Sequence, residues 1–204
     1  MSPKIISRKT KTNLEILKKA NILGDFYLVG DTGLALQLNH RLSLDLDLFS
    51  LKKVNTKNLI QKIKKLGRLS IEKESEDTLI CRFNGTSLTF LRYEYPLLFN
   101  FKIIEGVKIA SVQDIGCMKI DAISSRGRKK DFIDLYFICQ KVTPLSELLK
   151  LFERKYKSVD FNIIHLLKSL SYFEDAERDP MPKTIMAVSW QEVKNFFKKE
   201  IPKL

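Results

Sequence analysis

Between Tyr27 and Ser50 the chain reads YLVGDTGLALQLNHRLSLDLDLFS, and this run restricts the fold more than any other. A short apolar run leads into a glycine turn, then an amphipathic helix, then a second strand that carries Asp45-Leu46-Asp47. On an extended strand, residues two apart share a face. Asp45 and Asp47 therefore sit side by side, and Leu44, Leu46 and Leu48 are expected to face a core. Paired carboxylates on a rigid strand repel each other, and a divalent cation is the usual reason to tolerate them. The glycine turn brings a helix N-terminus toward the same place, where a phosphate is well accommodated. These parts imply metal-dependent chemistry on a nucleotide.

Composition narrows the setting. The chain has 204 residues, enough for a substantial core, with 36 Lys and Arg against 24 Asp and Glu, a net charge of +12. Such a surplus favours polyanionic partners such as RNA, DNA or nucleotides. Cys81, Cys117 and Cys139 lie in apolar surroundings without a CxxC pair and read as reduced structural cysteines. The only histidines are His40 and His165, which argues against zinc-hydrolase chemistry. The first thirteen residues are basic but lack the apolar core of a signal peptide, and no apolar run approaches the roughly 20 residues that span a bilayer. The expectation is a cytoplasmic protein without membrane contact.

Periodicity predicts an α+β front and a helical back. Helices are expected over residues 12–23, with Thr12 or Asn13 as cap, and over 32–38 and 56–66. Strands are expected at 26–29, 45–49, 70–73, 78–83 and 87–92, and a short pair at 103–109. Asn84-Gly85 signals a hairpin turn. From residue 112 onward the pattern is helical, over 112–124 and 129–141, then from Pro144, from a cap at Asp160, and over 190–199. Two parts follow, residues 1–110 and 111–204, with the second completing the site built by the first.

The order of motifs resembles a known family. Val29-Gly30 followed by Asp45-Leu46-Asp47 is similar to the signature of DNA-polymerase-β-type nucleotidyltransferases. His40-Arg41, Ser43, DLDLF, KIDAISSRGRKKDFIDLYFI and SYFEDAERDPMP together resemble the AbiEii/AbiGii toxin family of that superfamily, over nearly the whole chain. The resemblance implies a polymerase-β-like mixed sheet followed by a C-terminal helical bundle. It also implies an NTP substrate, magnesium or manganese on Asp45 and Asp47, and an antitoxin partner. The acceptor it suggests is a hydroxyl on RNA, tRNA 3′ ends first, or on protein. It assigns Lys119 to the triphosphate and Asp131 or Asp134 as an extra acid. For Asp131 and Asp134 a purely structural pairing with neighbouring arginines stays open.

Two positions depart from the pattern. Asp31 stands where the family has Gly or Ser after Gly30. It either caps the helix or repels a triphosphate, and Thr32 is then the nearby hydroxyl that takes over nucleotide contact. Thr89 stands where these enzymes often carry a third carboxylate, and threonine cannot act as a carboxylate base. Arg41 is expected to brace Asp45 and Asp47 or to reach a phosphate. Arg126, Arg128, Lys129 and Lys130 form a charge run suited to an RNA backbone. The departures leave an alternative: a degenerate domain that binds nucleotide or RNA without transfer. An antitoxin-like or scaffold role is a third reading.

Overall fold

The computed structural model describes residues 5–204. The reading of the extreme N-terminus therefore falls partly on residues outside this range. Helix α1 (Arg8–Lys19) begins earlier than the periodicity predicts, because the Ser7 hydroxyl accepts from Thr10 N at 3.0 Å and caps it. Asn13 is not a cap. It is buried and donates to Phe83 O at 3.1 Å and to the Thr86 hydroxyl at 2.7 Å, tying α1 to the sheet.

Strand β1 (Tyr27–Val29) runs directly into α2 (Gly30–Leu38), and β2 (Leu46–Ser50) returns antiparallel beside β1. Helix α3 (Thr56–Lys64) then leads to β3 (Leu69–Ser75), β4 (Thr78–Phe83) and β5 (Thr86–Arg92). Asn84 and Gly85 turn β4 into β5 with φ of 44° and 76°, the positive values that the Asn-Gly pair supplies. Strands β6 (Lys102–Ile104) and β7 (Val107–Ile109) form a small hairpin. All seven strands join one mixed sheet in the order β3-β4-β5-β2-β1-β7-β6. Strand β2 pairs parallel with β5, and β1 parallel with β7.

Six helices follow among the described residues: α4 (Val112–Arg126), α5 (Lys129–Lys141), α6 (Leu145–Lys155), α7 (Ile163–Ser171), α8 (Glu174–Glu177) and α9 (Trp190–Glu200). The cap of α7 is Asn162, whose side chain accepts from Ile164 N and His165 N, and not Asp160. The fold is α+β, as the periodicity implies. No helix among the described residues is long and apolar enough to cross a membrane.

The period of two divides the central strands cleanly. Leu28, Leu46, Leu48, Leu88 and Phe90 enter one core with α1 and α3 residues such as Leu14, Leu17, Leu59 and Ile63. Burying each such side chain fully is worth about 1.5–3 kcal/mol. Tyr27 and Val29 point to the opposite face and join a second core with residues of α2, α4, α5, α6, α7 and α9. Asp47, Phe49 and Thr89 occupy that second face as well, by alternation. Leu44 departs from the expected pattern. Asp45 lies just before β2, the alternation stops there, and Leu44 is 53% exposed.

Candidate active site

A cavity of about 470 Å³ lies between the second face of the sheet and α4. Asp45, Asp47 and Phe49 line it from β2 and its approach, Ser87, Thr89 and Leu91 from β5, and Gly30 and Asp31 from the start of α2. Strand β2 and β5 run parallel with Asp47 beside Thr89, so the two side chains are neighbours on one face. The threonine thus holds the strand position expected for a third acid. It stands beside Asp47 instead, and its hydroxyl opposes protonation of that carboxyl.

Gly30 has φ of +60°, a left-handed conformation that costs a residue with a Cβ. A Cβ there would overlap Asp47 Oδ2. The glycine therefore makes room for the carboxylate as well as turning the strand into the helix. Asp47 is strained electrostatically. Burial and the neighbouring charge of Asp31 push its carboxyl up to about 6, against the pull of Thr89 and Lys119. Among the described residues neither Asp45 nor Asp47 forms an ion pair. Two adjacent carboxylates without a cationic side chain, facing a cavity, are the donor set that a magnesium or manganese ion takes.

The acids of the α4–α5 motif are arranged differently. Lys119 Nζ is 2.6 Å from Asp131 Oδ1 and 2.6 Å from Asp134 Oδ2, and it also bonds Asp31 Oδ1. Arg41 grips Asp134 through Nε at 2.6 Å and Nη2 at 2.7 Å, and His40 Nε2 donates to Asp134 at 2.7 Å. Arg126 Nε reaches Asp131 at 3.0 Å, and Lys130 Nζ reaches Asp31 at 2.6 Å. Burial would raise Asp31 and Asp134, but Lys119 and Arg41 outweigh it and hold both carboxyls well below the usual range. Burial would likewise lower the lysine, yet Asp134, Asp31 and Asp131 raise Lys119 above its ordinary value. The oxygens of Asp31, Asp131 and Asp134 come close enough to bind a cation, and that cation is the Lys119 ammonium.

This geometry corrects several expectations. Asp131 and Asp134 are fully buried, paired with Lys119 and not on the cavity wall, which favours the structural pairing that stayed open for them. Arg41 is buried and binds Asp134 and Asp31, not Asp45 and Asp47, and it does not reach the cavity. Thr32 is fully buried, and its hydroxyl is spent on Ser43 Oγ and Asp45 O, where it anchors the approach to β2. Asp31 does not cap α2, whose N-cap is Val29 without a side-chain bond. The basic run is largely neutralised too. Arg126 pairs with Asp131, Arg128 with Asp179 and Lys130 with Asp31, while Lys129 is buried against Asp179 O. The Arg126 and Arg128 side chains stay more than half exposed in these pairs. The placement of Arg41 is tertiary: the segment 183–186 bonds the backbone at His40 and Leu42 and bridges Arg41.

Lys119 does line the cavity, as its assigned role requires, together with Lys130 and Arg126. Asp121, which the sequence places in the charged α4–α5 motif without a role of its own, Phe49, which reads as a core aromatic from the sequence, and Tyr93 also line it. The signal for Asp121 was present. Met118, Asp121, Ala122 and Ser125 recur at helical spacing, and all four face the cavity.

The comparisons agree with this architecture. A family model described as nucleotidyl transferase AbiEii toxin, type IV toxin–antitoxin system, matches residues 83–203. The Aquifex aeolicus protein aq_aa25 is 40% identical over 201 residues, covering 96% of each chain. The nucleotidyltransferase toxin MenT4 of Mycobacterium tuberculosis superposes with a TM-score of 0.57 at 11% identity, over 97% of this chain and 86% of that one. JHP933 of Helicobacter pylori superposes at 0.53 with 19% identity, over 98% and 94%. The solved structures show a shared nucleotidyltransferase fold, and the matched family carries the assignment: this chain belongs to the AbiEii family of nucleotidyltransferase toxins and is itself a nucleotidyltransferase.

Proposed function

We propose that the cavity transfers a nucleoside monophosphate from an NTP to a hydroxyl on RNA, with tRNA 3′ ends as the first acceptor. Asp45 and Asp47 hold magnesium or manganese in this reading. The observation that carries it is their position: carboxylates without a cationic partner on one wall, and Lys119 with Lys130 on the next. When bound, the ion neutralises charge on the phosphates and on the leaving pyrophosphate. Lys119 supplies positive charge to the triphosphate from the side, and the start of α2 at Gly30 offers backbone N–H groups. Lys119 and Lys130 already share the Asp31 carboxylate, so an incoming phosphate exchanges one anion for another. Phe49 and Tyr93 stack with centroids 5.2 Å apart and both line the cavity, which gives a nucleobase an aromatic wall. The net charge of +12 supports a polyanionic acceptor.

Residues 111–204 complete this site through Lys119 and Asp121 on a core built by residues 1–110. A cytoplasmic setting goes with an NTP donor, and an antitoxin partner goes with the family. A second reading, nucleotide binding without transfer, is favoured by Asp31 and Thr89 at the two departing positions. Incubation with α-labelled NTPs and total tRNA separates the readings. Label on RNA supports transfer to RNA, and label only on protein moves the acceptor to a protein hydroxyl. Metal-dependent NTP binding with no label on either supports the degenerate reading.

A further inference from the structure

We propose that Asp121 accepts the proton of the attacking hydroxyl. The inference rests on the transfer reading and names the group that reading lacks. A hydroxyl that attacks the α-phosphorus must lose its proton as the new P–O bond forms, and a carboxylate in reach of it serves as general base. Thr89 cannot do this. Asp131 and Asp134 are fully buried, ion-paired with Lys119 and not on the cavity wall. Asp31 is bound by Lys119, Arg41 and Lys130. Asp45 and Asp47 are committed to the cation. The remaining carboxylate on the cavity wall is Asp121.

Its placement fits the task. Residues of α4 from Ile115 to Arg126 line the cavity, Lys119 and Arg126 among them, and Asp121 is the carboxylate of that stripe among the described residues. It comes from the helical wall, whereas Asp45 and Asp47 come from the sheet and its approach, so the cavity lies between them. Among the described residues it makes no hydrogen bond and no ion pair, so its oxygens are free to take a proton. Asp121 is exposed to solvent, yet partial desolvation at the cavity wall raises its carboxyl, with Arg126 opposing. In the step, the hydroxyl O–H bond breaks and the proton goes to an Asp121 oxygen. The hydroxyl oxygen bonds to the α-phosphorus, and the bond from that phosphorus to the β-bridging oxygen breaks. Pyrophosphate leaves with the electron pair, and Asp121 then releases its proton to water.

Pyrophosphate release tests this whatever the acceptor, because the leaving group is the same for RNA, protein or water. NTP affinity is measured in parallel by calorimetry with magnesium and a non-hydrolysable ATP analogue. Asp121→Asn is expected to bind the analogue as the wild type does and to lose about a hundredfold or more in release rate, with partial recovery in Asp121→Glu. Asp121→Ala is expected to regain rate when formate is added. Wild-type release by Asp121→Asn would overturn the assignment. So would loss of analogue binding equal to that of Asp45→Asn, which would make Asp121 a binding group. A wild type that releases no pyrophosphate would overturn the transfer reading itself and Asp121's role with it.

Discussion

Two sets of carboxylates lie within one site and meet opposite fates. Asp31, Asp131 and Asp134 are saturated by Lys119, Arg41, Arg126, Lys130 and His40. Asp45, Asp47 and Asp121 face the cavity and pair with none of these. A buried acid ringed by cations is a fixed part of the fold, because removing either partner strands a charge. Asp47, half-buried without a cationic partner, is held where its charge is disfavoured, and such perturbed groups cluster where a ligand or a reaction uses them. In the proposed reading the first set is structural and the second carries the chemistry, although all six are aspartates.

The largest effect is expected in the second set. Asp45→Asn with Asp47→Asn should cut pyrophosphate release by roughly a thousandfold or more, with circular dichroism unchanged. Activity within tenfold of wild type would erase the distinction between the two sets. In the first set, Asp134→Asn weakens the hold on Lys119, Arg41 and His40 together. It should destabilise the protein by about 3–5 kcal/mol in urea unfolding. A neutral result there would mean that the cluster is not structural.

Much of the second set was legible in the sequence. Asp47 follows from the alternation of β2, and Gly30 before a helix marks the turn that makes room for it, while Asp45 lies just before the strand and still lines the same cavity. The hairpin at Asn84-Gly85 was legible for the same local reason. The first set was not. Arg41 and Asp134 are 93 residues apart in the chain, and their bond depends on how α5 docks beside α2 and on the strap at residues 183–186. Asp121 and Asp131 sit in the same charge-rich motif. Only the rotation of α4 and α5 about their axes, set by packing against the sheet and each other, turns one to the cavity and the other inward. Leu44 misled for a related reason: the alternation that buries Leu46 and Leu48 ends where the strand ends.

Asp31 straddles the two sets, since it lines the cavity and is also ion-paired. Replacing it frees Lys119 and Lys130 for phosphate. Asp31→Ser should therefore tighten NTP binding about tenfold, equivalent to about 1.4 kcal/mol, in calorimetry. Unchanged affinity would place Asp31 wholly with the structural acids.

The smallest effect concerns stability and pH. Burial and the Asp31 charge push the Asp47 carboxyl up to about 6 in the folded protein, above the roughly 3.9 of an unfolded chain. The folded state therefore binds this proton more tightly. Without metal, Asp47 lowers stability as pH rises through that interval, and the penalty is complete above it. In EDTA, Asp47→Asn should raise the melting temperature by a few degrees at pH 8 and by little at pH 4. A gain of equal size at both pH values would assign the effect to packing and not to charge.

The division between the two sets is tested most directly by manganese binding, followed by electron paramagnetic resonance with a non-hydrolysable ATP analogue present. The wild type should bind manganese. Asp45→Asn with Asp47→Asn should lose that binding, while Asp131→Asn, in which Lys119 still pairs with Asp134 and Asp31, should keep it. Undiminished manganese in the double variant, or its loss in Asp131→Asn with the fold intact, would contradict the assignment of the cation to Asp45 and Asp47.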